Sequence, residues 1–248
     1  MLISVITATY NSEATVKDTL ESVLMQSYDN YELLIIDGCS KDGTLDIVQE
    51  YKERFGDRLK VWSEKDKGLY DAMNKGIAKA SGDVIGILNS DDAFADENVL
   101  KNIADEFASA DIDGTYGNIT FYDAETFSKT VRHWNAGTGS INRGWMPPHP
   151  SLYLKKSVYE KFCNFDDSLK IAADYDFMLR IIKGGVKLAY IPKDIVKMRA
   201  GGVSTDGISG YVKNLKESHN VVKRNGIRFP LLVDCIRIFK TLGQMLKK

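Results

Sequence analysis

Short apolar runs alternate with amphipathic helical patterns over the first hundred residues. Four of the runs have the length and the β-branched or aromatic content of buried strands. They cover residues 2–8, 31–36, 58–63 and 83–88. Helical patterns lie between them at residues 14–26, 44–55 and 69–80. Strands separated by helices of this length form right-handed βαβ units, so the pattern predicts an α/β fold with a mostly parallel central sheet flanked by helices.

The rest of the chain predicts a second, less regular set of elements. These are a helix at 96–108, strands near 112–121, 127–134 and 151–154, and helices near 155–162 and 173–183. A stretch rich in glycine and proline, residues 135–150, is typical of a mobile loop. No repeat or flexible linker separates the two sets, so we expect two lobes of one domain.

The composition argues against several classes of protein. The chain has 248 residues, 44% hydrophobic and 27% charged, and its formal net charge of -1 argues against non-specific nucleic-acid binding. Cys39, Cys163 and Cys235 are far apart and form no CxxC pair, which predicts neither a disulfide framework nor a thiolate zinc site and favours a reducing cytoplasm. The N-terminal residues have the pattern of a strand, and no apolar run is long enough to span a bilayer.

A polar cluster follows each of the four predicted strands of the first half. The clusters are residues 7–11, 37–40, 64–68 and 89–92. Because ligands of parallel α/β sheets bind outside the carboxyl ends of the strands, we expect the functional site at this edge.

Two adjacent carboxylates, Asp91 and Asp92, follow the apolar run 84–88. Hard oxygen donors in this place are what a divalent Mg or Mn ion bridging to a diphosphate requires. The alternative is a turn that caps the following helix.

Asp37, which is followed by Gly38, also has two interpretations. Its carboxylate either accepts the N–H of a uracil base or forms a structural Asx-turn. No P-loop or dinucleotide-binding glycine motif is present, so a phosphate would need a metal or side chains.

Helical geometry separates two acids in the run 172–180. Asp174 shares a face with the apolar residues Phe177 and Met178, so it is turned toward the interior or a cleft and is a candidate general base. A structural place in the first helical turn is the alternative. Asp176 lies one turn before Arg180, where an ion pair is expected. His149, in the stiff segment 147–150, is a candidate for contact with substrate.

Taken together, these residues resemble glycosyltransferase family 2, the inverting enzymes of the GT-A fold that use nucleotide-diphosphate sugars. The matching stretches are ISVITATYN at 3–11, IIDGCSKDGT at 35–44, SEKDKGLYDAMNKGIAKASGDVIGILNSDD at 63–92, HPSLY at 149–153 and ADYDFMLR at 173–180. Within the family, the motifs DKGLYDAMNKG and LNSDD are similar to those of bacterial transferases that build colanic acid, capsule and O-antigen. The resemblance implies a Rossmann-like GT-A domain with an acceptor-side lobe and a helical tail.

The resemblance also implies roles for single residues. Asp37 would hold the base, Asp91 would contact ribose or diphosphate, Asp92 would bind the metal, and Asp174 would be the general base. The other predicted donor-binding residues are Thr7, Thr9, Tyr10, Asp66, Gly68 and Asn74. Gly201 and Gly202 would flex over the donor, and His149 would lie on the acceptor side.

Two positions depart from the family pattern. Ser90 stands where some relatives have a first acid, and Ala173 stands where the family usually has a glutamate before the base.

The implied reaction is a single displacement with inversion. The predicted donor is a nucleotide-diphosphate sugar, with UDP-linked hexoses and N-acetylhexosamines favoured, and the predicted acceptor is a hydroxyl of a lipid-linked glycan. A sugar-nucleotide nucleotidyltransferase is the enzymatic alternative, although residues 7–16 lack the glycine-rich basic loop that a triphosphate would need. A non-catalytic carbohydrate-binding or assembly subunit of the same fold is the other alternative.

The predicted domain covers residues 1–225, with a nucleotide-sugar half at 1–95 and an acceptor-side half at 96–225. Residues 226–248 form a predicted amphipathic helix with a local charge of +4. Such a helix either lies on an anionic membrane or packs on the domain. A lipid-linked acceptor favours the membrane, so we expect a cytoplasmic protein in peripheral contact with the inner face of the plasma membrane.

Overall fold

The first half of the chain forms the parallel part of a single sheet. The computed structural model describes residues 1–201 and 207–236, and for 207–213 the backbone alone. Its first four strands are β1 (Ile3–Thr9), β2 (Tyr31–Asp37), β3 (Leu59–Ser63) and β4 (Val84–Ile87). They lie in the order β3-β2-β1-β4 and all pair in parallel. Each strand falls within two residues of its predicted position.

Helices connect these strands as predicted. They are α1 (Val16–Leu24), α2 (Thr44–Glu50), α3 (Lys52–Phe55) and α4 (Leu69–Lys79). The single helix predicted at 44–55 is divided into α2 and α3, which meet at Tyr51.

The second half extends the sheet with both antiparallel and parallel pairs. Its elements are β5 (Ala93–Phe94), α5 (Val99–Ser109), β6 (Gly114–Tyr122), β7 (Thr130–Trp134), β8 (Tyr153–Lys155), α6 (Lys156–Phe162), α7 (Ala173–Lys183), β9 (Leu188–Arg199) and α8 (Gly207–Arg224). Strand β8 is antiparallel to β4 and to β6, and so joins the two halves. β9 pairs in parallel with β6 and antiparallel with β5. The predicted α/β fold with a mostly parallel sheet flanked by helices is confirmed.

Alternate residues of the parallel strands face two hydrophobic cores. In β1, Ile3 and Val5 face the core that contains α1, whereas Ile6 and Ala8 face the core that contains α4. Strands buried on both faces are continuously apolar, which explains the runs in the sequence. A third cluster forms where α7 packs against α8.

Helix α4 lies very close to the sheet because Gly76 has no side chain. A Cβ at Gly76 would lie 2.4 Å from Cγ2 of Ile6 and 3.2 Å from Cγ1 of Ile36. This close approach packs α4 directly on β1 and β2.

The loop at 135–150 contains two short 3-10 turns and is anchored by an aromatic side chain. Trp145 packs edge-on against Tyr116, and its indole N–H donates to the carbonyl of Ala136 at 3.0 Å. The loop therefore lies against the second core, beside β6.

The C-terminal segment is described as far as Ile236. Val233 is fully buried against α7 and α8, and Asp234 pairs with His219 at 2.6 Å. Leu231 and Cys235, two apolar residues of the predicted amphipathic helix, are exposed. The rest of the predicted helix at 226–248 lies outside the described residues. Among the helices that the structure describes, none is long and apolar enough to cross a membrane.

Candidate active site

The loops that follow the parallel strands meet through side-chain hydrogen bonds. Thr9, at the end of β1, donates to Asp37 Oδ1 at 3.1 Å, and Ser63, at the end of β3, donates to Asp37 Oδ2 at 2.7 Å. The hydroxyls of Ser12 and Ser90 are 2.8 Å apart and join the loops after β1 and β4. The four polar clusters therefore share one edge of the sheet, as the parallel topology predicts.

The carboxylate of Asp37 lies at the centre of this junction. It is fully buried and also accepts hydrogen bonds from the backbone N–H and the hydroxyl of Ser40. Together with Thr9 and Ser63, these donors give each oxygen two hydrogen bonds. Asp37 thus holds three loops together, and a base N–H would have to replace one of the present donors.

Two predicted donor-binding residues, Asp66 and Tyr10, lie against Gly38, and a third, Gly68, binds Asp66. A Cβ at Gly38 would lie 2.4 Å from Asp66 Oδ2 and 3.3 Å from the ring of Tyr10. The other oxygen of Asp66 accepts the N–H of Gly68 at 3.0 Å, and Gly68 adopts a φ of 137° directly before α4. Because the Tyr10 side chain is exposed, this group is open to a ligand at the sheet edge.

Two other predicted donor-binding residues, Thr7 and Asn74, lie where their side chains have structural contacts. Thr7 is fully buried within β1, so its side chain is not accessible to a donor. Asn74 uses both ends of its amide on Phe165, donating to the carbonyl at 2.9 Å and accepting from the N–H at 3.0 Å. Asn74 therefore ties α4 to the segment before α7.

Asp92 is buried at the carboxyl end of β4 and is held on several sides. Asn89 donates to its Oδ2 at 3.0 Å, and the backbone N–H of Arg199 donates to its Oδ1 at 3.2 Å. Thr19 of α1 donates to its carbonyl at 2.6 Å. The loop after β4 is thus fixed by α1 and by the end of β9.

The environment of the acid pair disfavours two negative charges. Burial and the charge of Asp91 raise the pKa of Asp92 to about 8, against weaker opposing effects of Asn89 and Arg199. Burial likewise raises the pKa of Asp91. A cation near both carboxylates would relieve this repulsion, and carboxylate oxygens suit Mg or Mn. No cluster of three potential ligands occurs in the described chain, so the remaining ligands would be phosphate or water oxygens.

Arg199 is a buried cation beside the acid pair that the sequence does not predict. Its guanidinium pairs with Asp18 of α1, donates to the carbonyl of Ala124 at 3.0 Å and lies 4.2 Å from the ring centroid of Phe127. These contacts connect β9, α1 and the β6–β7 hairpin around Asp92. No local pattern identifies it, because its partners are distant in sequence.

Asp174 stands in the first turn of α7, partly buried. Its Oδ1 accepts the N–H of Tyr175 at 2.8 Å and lies 3.2 Å from the hydroxyl of Tyr70. Within the described chain no hydrogen bond reaches Oδ2, which leaves this oxygen able to accept a proton. Tyr70 is a second residue without a predicted role, although it lies within the motif at 63–92.

Asp176 forms the predicted ion pair with Arg180, at 2.9 Å. It also binds Arg224, the last residue of α8, and Asn225, which follows it. These partners make Asp176 more deeply buried than Asp174. Its role is to bind α7 to α8.

His149 and Gly201, predicted to lie on the acceptor side or in a mobile loop, have different surroundings. The ring of His149 packs edge-on against Phe165, and burial lowers the pKa of His149 while the charge of Asp174 opposes that shift. The imidazole is therefore neutral at physiological pH. Gly201 is exposed and has a φ of 97°, whereas Gly202 lies outside the described residues.

Comparison with known proteins places this site in context. TuaG of Bacillus subtilis, whose name assigns it to teichuronic acid biosynthesis, is 40% identical over 103 residues, which are 41% of this chain and 40% of TuaG. The structure of S. aureus TarS 1-349 in complex with UDP-GlcNAc matches with a TM-score of 0.70 and 20% identity, over 96% of this chain and 70% of that one.

A second structure supports the same fold. The mannosyltransferase PcManGT from Pyrobaculum calidifontis, solved with GDP-Man and Mn2+, matches with a TM-score of 0.69 and 18% identity, over 98% of this chain and 70% of that one. These likenesses confirm the predicted GT-A fold. The model of the family described as "Glycosyl transferase family 2" matches residues 4–172, more than half of the sequence. The chain belongs to glycosyl transferase family 2.

Proposed function

We propose that this protein is an inverting glycosyltransferase of bacterial surface polysaccharide biosynthesis. It would move a sugar from a nucleotide-diphosphate donor to a hydroxyl of a glycan acceptor. The observation that carries the proposal is the separation of the acids into two kinds of site. Asp92 is buried after β4 beside the half-buried Asp91, whereas Asp174 is a half-buried carboxylate on α7 whose Oδ2 receives no hydrogen bond within the described chain.

The proposed reaction uses Asp174 as the general base. Its Oδ2 takes the proton of the acceptor hydroxyl, whose oxygen attacks the anomeric carbon from the face opposite the nucleotide. The bond from that carbon to the diphosphate breaks, and the configuration is inverted. His149, which packs against Phe165 and feels the charge of Asp174, would contact the acceptor.

Asp91 and Asp92 would hold a divalent ion, Mn or Mg, with Asp92 as the principal ligand. When bound, the ion stabilises the charge that develops on the leaving diphosphate. The Mn2+ bound to PcManGT supports this proposal, as does the pair of raised pKa values. The role of the chain itself is to hold Asp92 in place, through Asn89 and the backbone N–H of Arg199 at its carboxylate and through Thr19 at its carbonyl.

The donor is proposed to be a UDP-sugar that lies along the edge formed by the first three strands. The base would lie near Asp37 and Thr9, beside the exposed ring of Tyr10, with Asp66 and Gly68 next to it. UDP-GlcNAc bound to TarS supports a UDP donor, and GDP-Man bound to PcManGT shows that another nucleotide is compatible with this fold. A hexose or an N-acetylhexosamine is the expected sugar.

Product release distinguishes this function from its alternatives. The protein is incubated with UDP-, GDP- and dTDP-sugars and glycan acceptors, with Mn2+ or with EDTA. A glycosyltransferase releases nucleoside diphosphate, and EDTA suppresses that release. Pyrophosphate release from a sugar phosphate and a nucleoside triphosphate would instead indicate a nucleotidyltransferase. Binding of sugars without release of either product would indicate a non-catalytic subunit.

We also propose that the C-terminal segment rests on an anionic membrane from the cytoplasmic side, where a lipid-linked acceptor would be presented. Phe229, Leu231 and Leu232 are more than half exposed and neighbour Arg228. The sequence from 226 to 248 carries a charge of +4. Exposed apolar side chains combined with basic residues favour contact with anionic lipid headgroups.

Vesicle sedimentation tests this contact. The double variant Leu231→Ser and Leu232→Ser should lose most of its binding to vesicles containing phosphatidylglycerol, because it removes apolar surface without disturbing the buried Val233. Val131→Ser, at an exposed apolar residue of β7, is the matched control and should bind like the wild type. Unchanged binding of the double variant would contradict the proposal.

A further inference from the structure

The residue before the proposed base cannot orient it. Ala173 is fully buried among apolar side chains and has no polar atom in its side chain. Within α7, Asp174 receives only the N–H of its neighbour Tyr175. Any further orientation of the carboxylate must come from another element.

Tyr70, in the first turn of α4, reaches this carboxylate from the donor half. Its ring packs against Phe165, with 5.8 Å between centroids, and the backbone of Phe165 is bound by Asn74 one turn later in α4. Burial raises the pKa of Tyr70, and the charge of Asp174 adds to the shift, so the phenol keeps its proton. The position of the hydroxyl is thus set by the packing of α4.

The hydroxyl of Tyr70 lies between two acceptors at the start of α7. It is 2.7 Å from the carbonyl of Ile171 and 3.2 Å from Asp174 Oδ1, the arrangement of a three-centre hydrogen bond whose second branch is long. Both acceptors belong to the same short segment. One phenol therefore fixes the backbone that precedes the base and the base itself.

Glu217 of α8 holds this segment from the other side. Its carboxylate accepts the backbone N–H groups of residues 170, 171 and 172, at 2.7 to 2.9 Å. At the start of α7, the carbonyl of Ile171 is thus bound by α4, and the amides of residues 170–172 are bound by α8. This leaves little freedom for Asp174 to turn away from the site.

We infer that Tyr70 is a positioning residue for Asp174 and supplies, from the donor-binding half, the orientation that Ala173 cannot. By binding Oδ1, it leaves Oδ2 toward the acceptor hydroxyl. This inference rests on the proposed function, because it assumes that Asp174 is the base.

The test compares kcat and KM for Tyr70→Phe with those of the wild type. Loss of the hydroxyl should lower kcat on the order of 10- to 100-fold, the effect of a misplaced reacting group, while KM for the donor changes by less than about twofold. Residues that act as a unit are not additive, so the same change should have little further effect on Asp174→Asn. Circular dichroism and the melting temperature verify that the variant is folded.

Tyr31→Phe is the matched control, because the Tyr31 hydroxyl is buried without a hydrogen-bond partner in the described chain, at the far end of β2. It should retain full activity. Full kcat in Tyr70→Phe would overturn the inference, as would an equal loss in the Asp174→Asn background or a loss explained by unfolding. Full activity of Asp174→Asn alone would instead overturn the proposed function.

Discussion

The carboxyl group of Asp92 lies where ionisation is unfavourable. Burial and the neighbouring charge of Asp91 raise its pKa to about 8, compared with an ordinary value of about 3.9. A site with this character retains a proton unless a cation takes its place. Without a cation, the charged form of Asp92 therefore destabilises the folded protein, and a bound cation would remove that cost.

The pH dependence of stability should reveal this carboxyl group. Because its pKa is higher in the folded than in the unfolded chain, its contribution to stability is complete below about pH 4 and is lost as the pH rises through about 8. In EDTA, Asp92→Asn should therefore raise the melting temperature by a few degrees more at pH 8 than at pH 5. Asp105→Asn, at an exposed acid, should show no such trend. An equal effect of Asp92→Asn at both pH values would contradict the pKa shift.

The acids illustrate what could be predicted at the scale of a residue. The place of Asp91 and Asp92 directly after an apolar run makes this acid pair predictable, and helical spacing predicts the Asp176–Arg180 pair. The burial of Asp176 could not be predicted, since Arg224 and Asn225 lie more than 45 residues away. The several hydrogen bonds of Asp37 depend in the same way on loops that only the fold brings together.

At the scale of elements, the sequence pattern does not predict β9, α8 or the two-residue strand β5. The four parallel strands have continuous apolar runs, whereas Pro192, Lys193 and Asp194 interrupt the apolar pattern of β9. This interruption coincides with register shifts against β6, and Asp194 there binds Thr120 and His133. Local periodicity identifies strands in a uniform core but not a strand whose polar residues find partners across the sheet.

Glu217 links α8 to the start of α7, and its removal should cost measurable stability. Glu217→Ala leaves three backbone N–H groups without their charged acceptor, and we expect a loss of roughly 1–3 kcal/mol in the free energy of unfolding. Urea denaturation measures the loss as a lower midpoint. Lys216→Ala, at the exposed neighbouring position, is the control and should leave the midpoint unchanged. An unchanged midpoint in Glu217→Ala would show that α8 does not stabilise α7 in this way.

At the scale of the whole molecule, the two halves supply different parts of the proposed reaction. The first half provides Asp37 and the acid pair, whereas the second half provides Asp174 and, at the end of β9, Arg199. β8 joins them within one sheet, and Tyr70 crosses from the first half to the base of the second. The sequence predicted the first half in detail, but the contacts between halves depend on tertiary packing.

The most direct test of the proposed reaction is the rate of nucleoside diphosphate release, measured with Mn2+, a donor and an acceptor, for Asp174→Asn and Asp92→Ala beside the wild type. We predict that Asp174→Asn is slower by on the order of 10² to 10⁴-fold, as for other enzymes that lose a well-placed acid-base group, and that Asp92→Ala is severely impaired. Asp105→Asn should keep the wild-type rate. Full activity in both Asp174→Asn and Asp92→Ala would contradict the account.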